Sequence, residues 1–136
     1  MVSEEIAFEV QGDTGFAEAV ERTVEALKAE GFGILTRIDV HETLREKLGV
    51  DFRPYTILGA CNPPLAHRAL SAVPEVGLML PCNVTVEDRR GGGSIVRIVN
   101  PDQMMRSGGF EDDERIASVA QEAHDRLRRV ADALEL

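Results

Sequence analysis

From Ile116 onward, apolar side chains return every three or four positions: Ile116, Val119, Ala120, Ala123, Leu127, Val130, Ala131 and Leu134. That spacing draws a single stripe down a helix about 28 Å long at 1.5 Å per residue. A one-sided helix of this length must bury its stripe against a second layer, and the upstream sequence supplies one. Phe32, Ile34, Thr36, Ile38 and Val40 alternate with Leu35, Arg37 and Asp39, the period of a half-buried strand. Residues 55–61 read as a strand with two rather apolar faces. Residues 78–87 and 94–100 read as a hairpin, with residues 88–93, ending in three glycines, as its turn. Residues 6–10 form a further short strand.

Helices fill the intervals. One opens at Gly12-Asp13-Thr14, with Asp13 or Thr14 as its cap, carries Phe16, Val20, Val24 and Leu27 on one face, and closes at Gly31 in a left-handed conformation. Residues 41–48 form a short helix capped by Asp39 and ended by Gly49. Residues 64–73 form another, stopped by Pro74, and residues 101–105 make one helical turn. The order is β-α-β-α-β-α-β-β-α. Early βαβ alternation hints at parallel pairs, whereas the hairpin is antiparallel. The expected fold class is therefore α+β: a two-layer sandwich, a mixed, mainly antiparallel sheet with helices packed on one face. Residues 1–136 read as a single domain. The open sheet face needs a cover, and a second copy of the chain, making a homodimer, is the simplest one.

Charge narrows the partners. The net charge is −9, and the only lysines are Lys28 and Lys47 among 15 basic residues. So acidic a surface repels phosphate backbones and anionic lipid, which argues against nucleic acid and membrane partners. Low lysine and high acid content suit high salt, and a GC-rich genome produces the same bias. No apolar run reaches the ~20 residues of a membrane span. The start of the chain, with Glu4, Glu5 and Glu9, lacks the basic and apolar segments of a secretory signal, so a cytoplasmic location is expected.

The residues able to carry chemistry fall in two segments that rhyme, Gly59-Ala60-Cys61-Asn62-Pro63-Pro64 and Leu80-Pro81-Cys82-Asn83-Val84. Each sets a thiol beside a carboxamide near a strand end, where a rigid sheet holds loops in place. Period-two counting puts Cys82 on one face with Leu78, Leu80, Val84 and Val86, so it reads as a small buried hydrophobe. Cys61 shares parity with Tyr55, Ile57 and Gly59 but lies at a strand exit. There Asn62 is placed to cap the next helix and Pro63 to begin it. A thiol before a helix start can be activated, yet Pro63 and Pro64 remove backbone N–H groups that such activation uses. Both thiols are expected to be free, since a reducing compartment disfavours a disulfide. Two thiols alone do not complete a zinc site, metal binding through Cys61, Cys82 and a histidine has no signature spacing, and the sequence names no cofactor. His67 points away from its helix's apolar side, and His41 and His124 have no nucleophile beside them in sequence.

Tyr55-x-Ile57-x-Gly59-x-Cys61-Asn62-Pro63, then Ala66-x-x-Ala69-Leu70, Gly77-x-x-Leu80-Pro81-Cys82-Asn83-Val84 and Asn100-Pro101 with Met104 resemble the family known as domain of unknown function 302. The resemblance runs over nearly all of residues 5–134. It implies a small α+β domain of bacteria and archaea that forms dimers, with no established activity. Some relatives carry Gly-Asn-Pro without the first cysteine, so the resemblance supports the fold and supplies no mechanism.

Three functions stay open on these residues. The first is a binding module with a pocket near Tyr55, Cys61, Asn62, Cys82 and Asn83, in which the carboxamides orient a small polar ligand or metal complex and Tyr55, Ile57 and Leu80 form apolar walls. The second is a thiol enzyme in redox or sulfur handling, with Cys61 as nucleophile and Cys82 as resolving thiol. In the third, both Cys-Asn pairs only tie strand ends together.

Overall fold

A computed structural model describes residues 6–136; the acidic start with Glu4 and Glu5 lies outside the described residues. Among the described residues five strands form one sheet: β1 (Ala7–Gly12), β2 (Gly33–Asp39), β3 (Tyr55–Cys61), β4 (Cys82–Asp88) and β5 (Ser94–Val99), in the spatial order β1-β5-β4-β3-β2. All of these neighbours run antiparallel, so the early βαβ alternation produces no parallel pair among them. The fold is an α+β sandwich, as the element order implies. Three helices, α1 (Phe16–Ala29), α3 (Pro63–Ala72) and α5 (Glu114–Ala133), build the second layer, with the short α4 (Pro101–Ser107) against α5. α2 (Val40–Leu48) connects β2 to β3 and has no buried residue.

Register explains which side chains enter the core. Leu58 pairs with Val84 and Val84 with Ile98, while Val86 pairs with Val96, and all five are fully buried beneath Leu27, Ile116, Leu127 and Val130. The intervening positions look the other way and make the open face: Glu9 on β1, Arg97 on β5, Thr85 and Glu87 on β4, Ile57 on β3. A row of charges crosses this face. Glu87, only 5% exposed, accepts from Arg53 Nε at 2.8 Å and from Arg97, whose own Nε donates to Glu9 at 2.8 Å. Burial pushes the Glu87 carboxyl up, but Arg53 and Arg97 outweigh burial and hold it below its ordinary value.

Several local expectations change. The cap of α1 is Gly15, not Asp13 or Thr14. The Thr14 hydroxyl donates to the Leu136 carbonyl, and Asp13 pairs with Arg89 at 2.7 Å, so neither side chain is free to cap. Asp39 does stand at the cap position of α2, yet its carboxylate accepts from Thr56 Oγ1 at 2.8 Å and Arg37 Nε at 3.1 Å. Chiefly the Thr56 hydrogen bond holds that carboxyl below its ordinary value. In β2 a bulge between Ile34 and Thr36 breaks the alternation, leaving Leu35 67% and Ile38 48% exposed. Residues 78–81 are not strand: Pro74 opens a 3-10 helix, Pro74–Met79, and β4 begins only at Cys82. Leu78 is accordingly exposed instead of sharing the face of Cys82. The turn at Pro101 extends to two turns of helix. Gly31 follows its helix at positive φ, as expected, and Gly49, expected to end its helix, does so at positive φ as well.

Candidate functional site

β3 delivers Cys61 to its last position and Asn62 to the cap of α3. The Asn62 carboxamide is buried and taken at both ends. Its Oδ1 accepts the Leu65 backbone N–H at 3.3 Å, and its Nδ2 donates to the Glu30 carbonyl at 3.5 Å. It therefore ties the start of α3 to the end of α1, with one donor and one acceptor of the carboxamide committed to structure. With Pro63 and Pro64 lacking N–H groups, and the Ala66 N–H bonded to the Asn62 carbonyl at 2.9 Å, this helix start offers no anion site.

Beside Cys61 opens an apolar cavity of about 350 Å³. Its floor is the end of the sheet, where Ala60 pairs with Cys82. Its sides are α3 and α5, and what makes the space is alanine: Ala66 and Ala69 on α3 stand with Ala120 and Ala123 on α5 around it. Leu65, Leu80, Met105 and Val119 complete the wall, and Leu35 and Leu70, 67% and 41% exposed, stand at the mouth. Among the described residues the lining holds no carboxylate, histidine, lysine or arginine, and its polar side chains are Cys61, Asn62 and Cys82. Among the described residues no three His, Cys, Asp or Glu side chains gather as metal ligands.

Of the residues singled out in sequence, Cys61, Asn62 and Cys82 meet here, and Leu80 is a wall. Tyr55 and Asn83 do not join them. Tyr55 begins β3, at the far end from Cys61, where its backbone N–H donates to His41 Nδ1 at 3.0 Å and its ring meets Phe52 edge-on. Asn83 is exposed opposite Gly59, one step out of phase with Cys82, so strand alternation turns it to the open face. Ile57 lies on that face too. Gly59 is required by close approach: a Cβ there would land on Thr36 Oγ1 and within 2.9 Å of the Pro81 ring. His67 is exposed, outside the cavity. The α5 and α4 walls were not singled out in sequence. Their only trace in the sequence is alanine at positions 120 and 123 within the α5 stripe.

The two thiols are free and differ in kind. Cys82 is 7% exposed, and burial, aided by the neighbouring Cys61, pushes its thiol up to about 11. Cys61 is half-buried. Iodoacetamide at neutral pH is expected to label Cys61 in the folded protein and Cys82 only on unfolding, as peptide mass mapping will read directly. Equal labelling of both in the native state contradicts this assignment.

The family model described as "Domain of unknown function DUF302" matches residues 6–134. Among solved structures, the uncharacterized conserved protein DUF302 from Bacillus stearothermophilus is similar, with a TM-score of 0.82 and 35% sequence identity over 95% of this chain and 98% of that one. Comparison with curated proteins finds no match.

Proposed function

The chain belongs to the DUF302 family, and we propose that it is a binding module whose alanine-walled cavity takes a small apolar ligand. One observation carries this reading: the cavity wall is almost wholly carbon, and the one carboxamide in it is already hydrogen-bonded at both ends. The volume is at the small end of the ~300–1,000 Å³ found for ligand pockets. A polar ligand or metal complex oriented by two carboxamides has less support, since Asn62 already bonds Leu65 and Glu30 and Asn83 faces elsewhere. A thiol enzyme is supported less as well. A resolving thiol pushed to about 11 reacts slowly at neutral pH, and the lining supplies no base. Asn62 itself acts as a structural tie. Free thiols and an acidic surface fit a cytoplasmic setting.

A ligand that binds only the folded state raises the melting point with its concentration. The expected result is a midpoint that climbs with octan-1-ol and ignores glycerol, with the octan-1-ol response abolished in Ala66→Phe, where an aromatic ring enters at a part-exposed wall position. Native mass spectrometry of freshly purified protein will read any apolar ligand that stays bound. An unsubstituted chain indifferent to octan-1-ol overturns the reading.

We further propose that the open sheet face seats a second copy of the chain. Its charges compensate one another, Glu9 and Glu87 against Arg53 and Arg97, in a molecule of net charge −9, so this is a face where two copies meet without mutual repulsion. Exposed Ile38 on β2 extends it with apolar surface. Light scattering during size exclusion is expected to give twice the chain mass, and Ile38→Glu to reduce it; a monomer at micromolar concentration rules the proposal out.

A further inference from the structure

The cavity holds two features that binding of an inert apolar molecule does not use together: an apolar space closed to charge, and a half-buried cysteine, Cys61, among the residues that line it. We propose that Cys61 is an S-acylation site, taking a medium-length acyl group from a small thioester and holding the chain in the cavity. The proposal rests on the apolar-ligand reading and adds a covalent step to it.

The step is thiol–thioester exchange. The Cys61 sulfur attacks the thioester carbonyl, a carbon–sulfur bond to Cys61 forms, and the bond to the carrier sulfur breaks. The proton lost by Cys61 leaves with the carrier as its free thiol. No oxidant or reductant enters. Cysteine suits the attack, being strongly nucleophilic even with a few per cent thiolate at neutral pH. Cys82 stays a bystander, because it is buried and holds its proton.

Size and chemistry select the acyl group. An apolar cavity of ~150 Å³ is enough for benzene, so about 350 Å³ admits a chain and not merely a ring. The lining has no charged group to receive a carboxylate-bearing or phosphorylated chain. The mouth is apolar at Leu35 and Leu70, so the chain enters past carbon before its carbonyl reaches the sulfur. Once formed, the adduct persists. Hydrolysis needs an activated water and a stabilised oxyanion, whereas the wall offers no base, and the N–H groups of Leu65 and Ala66 at the start of α3 are already bonded to Asn62. The outcome is a modified protein, not a turning-over enzyme.

The test uses the whole chain with S-octanoyl-N-acetylcysteamine and its acetyl counterpart, followed by intact mass. The expected result is a gain of one octanoyl group at Cys61, released by hydroxylamine and absent in Cys61→Ser. Octanoylation should run roughly tenfold or more faster than acetylation, since each buried methylene favours the bound chain. Ala66→Phe should bring the octanoyl rate down to the acetyl rate while a melt shows it folded. The octanoyl-to-acetyl ratio in the unsubstituted chain tests the same point without any variant. Equal rates for the two thioesters, or octanoyl on Cys82, overturn the proposal. If octan-1-ol stabilises the protein and no acyl group transfers, acylation alone falls; if octan-1-ol fails too, the cavity reading falls with it.

Discussion

Replacing Gly93 with alanine is expected to lower stability by about 2–5 kcal/mol, the larger of two effects we single out. Gly93 closes the β4–β5 turn at φ +90°, where a side chain costs about 1–2 kcal/mol by conformation alone. Space makes it worse. A Cβ there would land on the Gly12 carbonyl oxygen and within 3.0 Å of the Asp13 Cα. Both obstacles are backbone, and the Gly12 end of β1 is paired to Ser94, so relief requires moving a strand. Overpacking of this kind adds about 1–3 kcal/mol. Neighbouring Gly91 and Gly92 also have positive φ, but a Cβ at either meets open space, so Gly92→Ala serves as a control that isolates the steric part. Urea melts of the two variants will show whether Gly93→Ala falls well below Gly92→Ala; equal midpoints contradict the argument.

The second large effect is at Glu87, where alanine is expected to cost about 1.5–3 kcal/mol, the range for hydrogen bonds to charged groups. The substitution strands two guanidinium groups that now share one carboxylate, and both keep partial access to water, which limits the loss. The pH dependence follows from the sign of the shift. The folded carboxyl titrates below its ordinary value of 4.5, so its contribution is fully present above that value. It is lost as pH falls through the lower folded value. The unsubstituted protein should therefore lose stability below about pH 4.5, and the Glu87→Ala curve should be flatter there. Thermal melts from pH 7 to pH 3 compare the two slopes, and parallel curves count against the assignment.

How much of this was readable beforehand depends on the element. The α5 stripe and the strand Tyr55–Cys61 follow from periodicity, because one face or both must be covered and the residue pattern says so. Asn62 as a cap follows from its place before Pro63. The stretch from Leu78 to Pro81 misleads, since its apolar residues continue the parity of β4, while Leu78 and Met79 end a 3-10 helix and Leu80 and Pro81 only link it to β4. Tyr55 shares the parity of Cys61 and Asn83 the neighbourhood of Cys82, but Tyr55 stands at the opposite end of β3 and Asn83 one step out of phase with Cys82, so neither reaches the cavity. The cavity itself was invisible because absence of volume, four alanines meeting across two helices, leaves only a faint trace in a linear pattern.

The strand order also governs when the molecule can become whole. Among the described residues β1 pairs only with β5, Ala7 meeting Val99, so this strand waits for one far along the chain. Closing so long a loop is entropically unfavourable and is rewarded only when the final ladder forms. A ribosome that has released α1, β2 and β3 has exposed the apolar undersides of an incomplete sheet, with β4 and β5 still to come and α5 absent from above them. Completion of the sheet is thus deferred until β5 has emerged. Once β2 pairs with β3 it forms an edge of the sheet, and its bulge makes that edge a poor template for pairing with a neighbouring nascent chain.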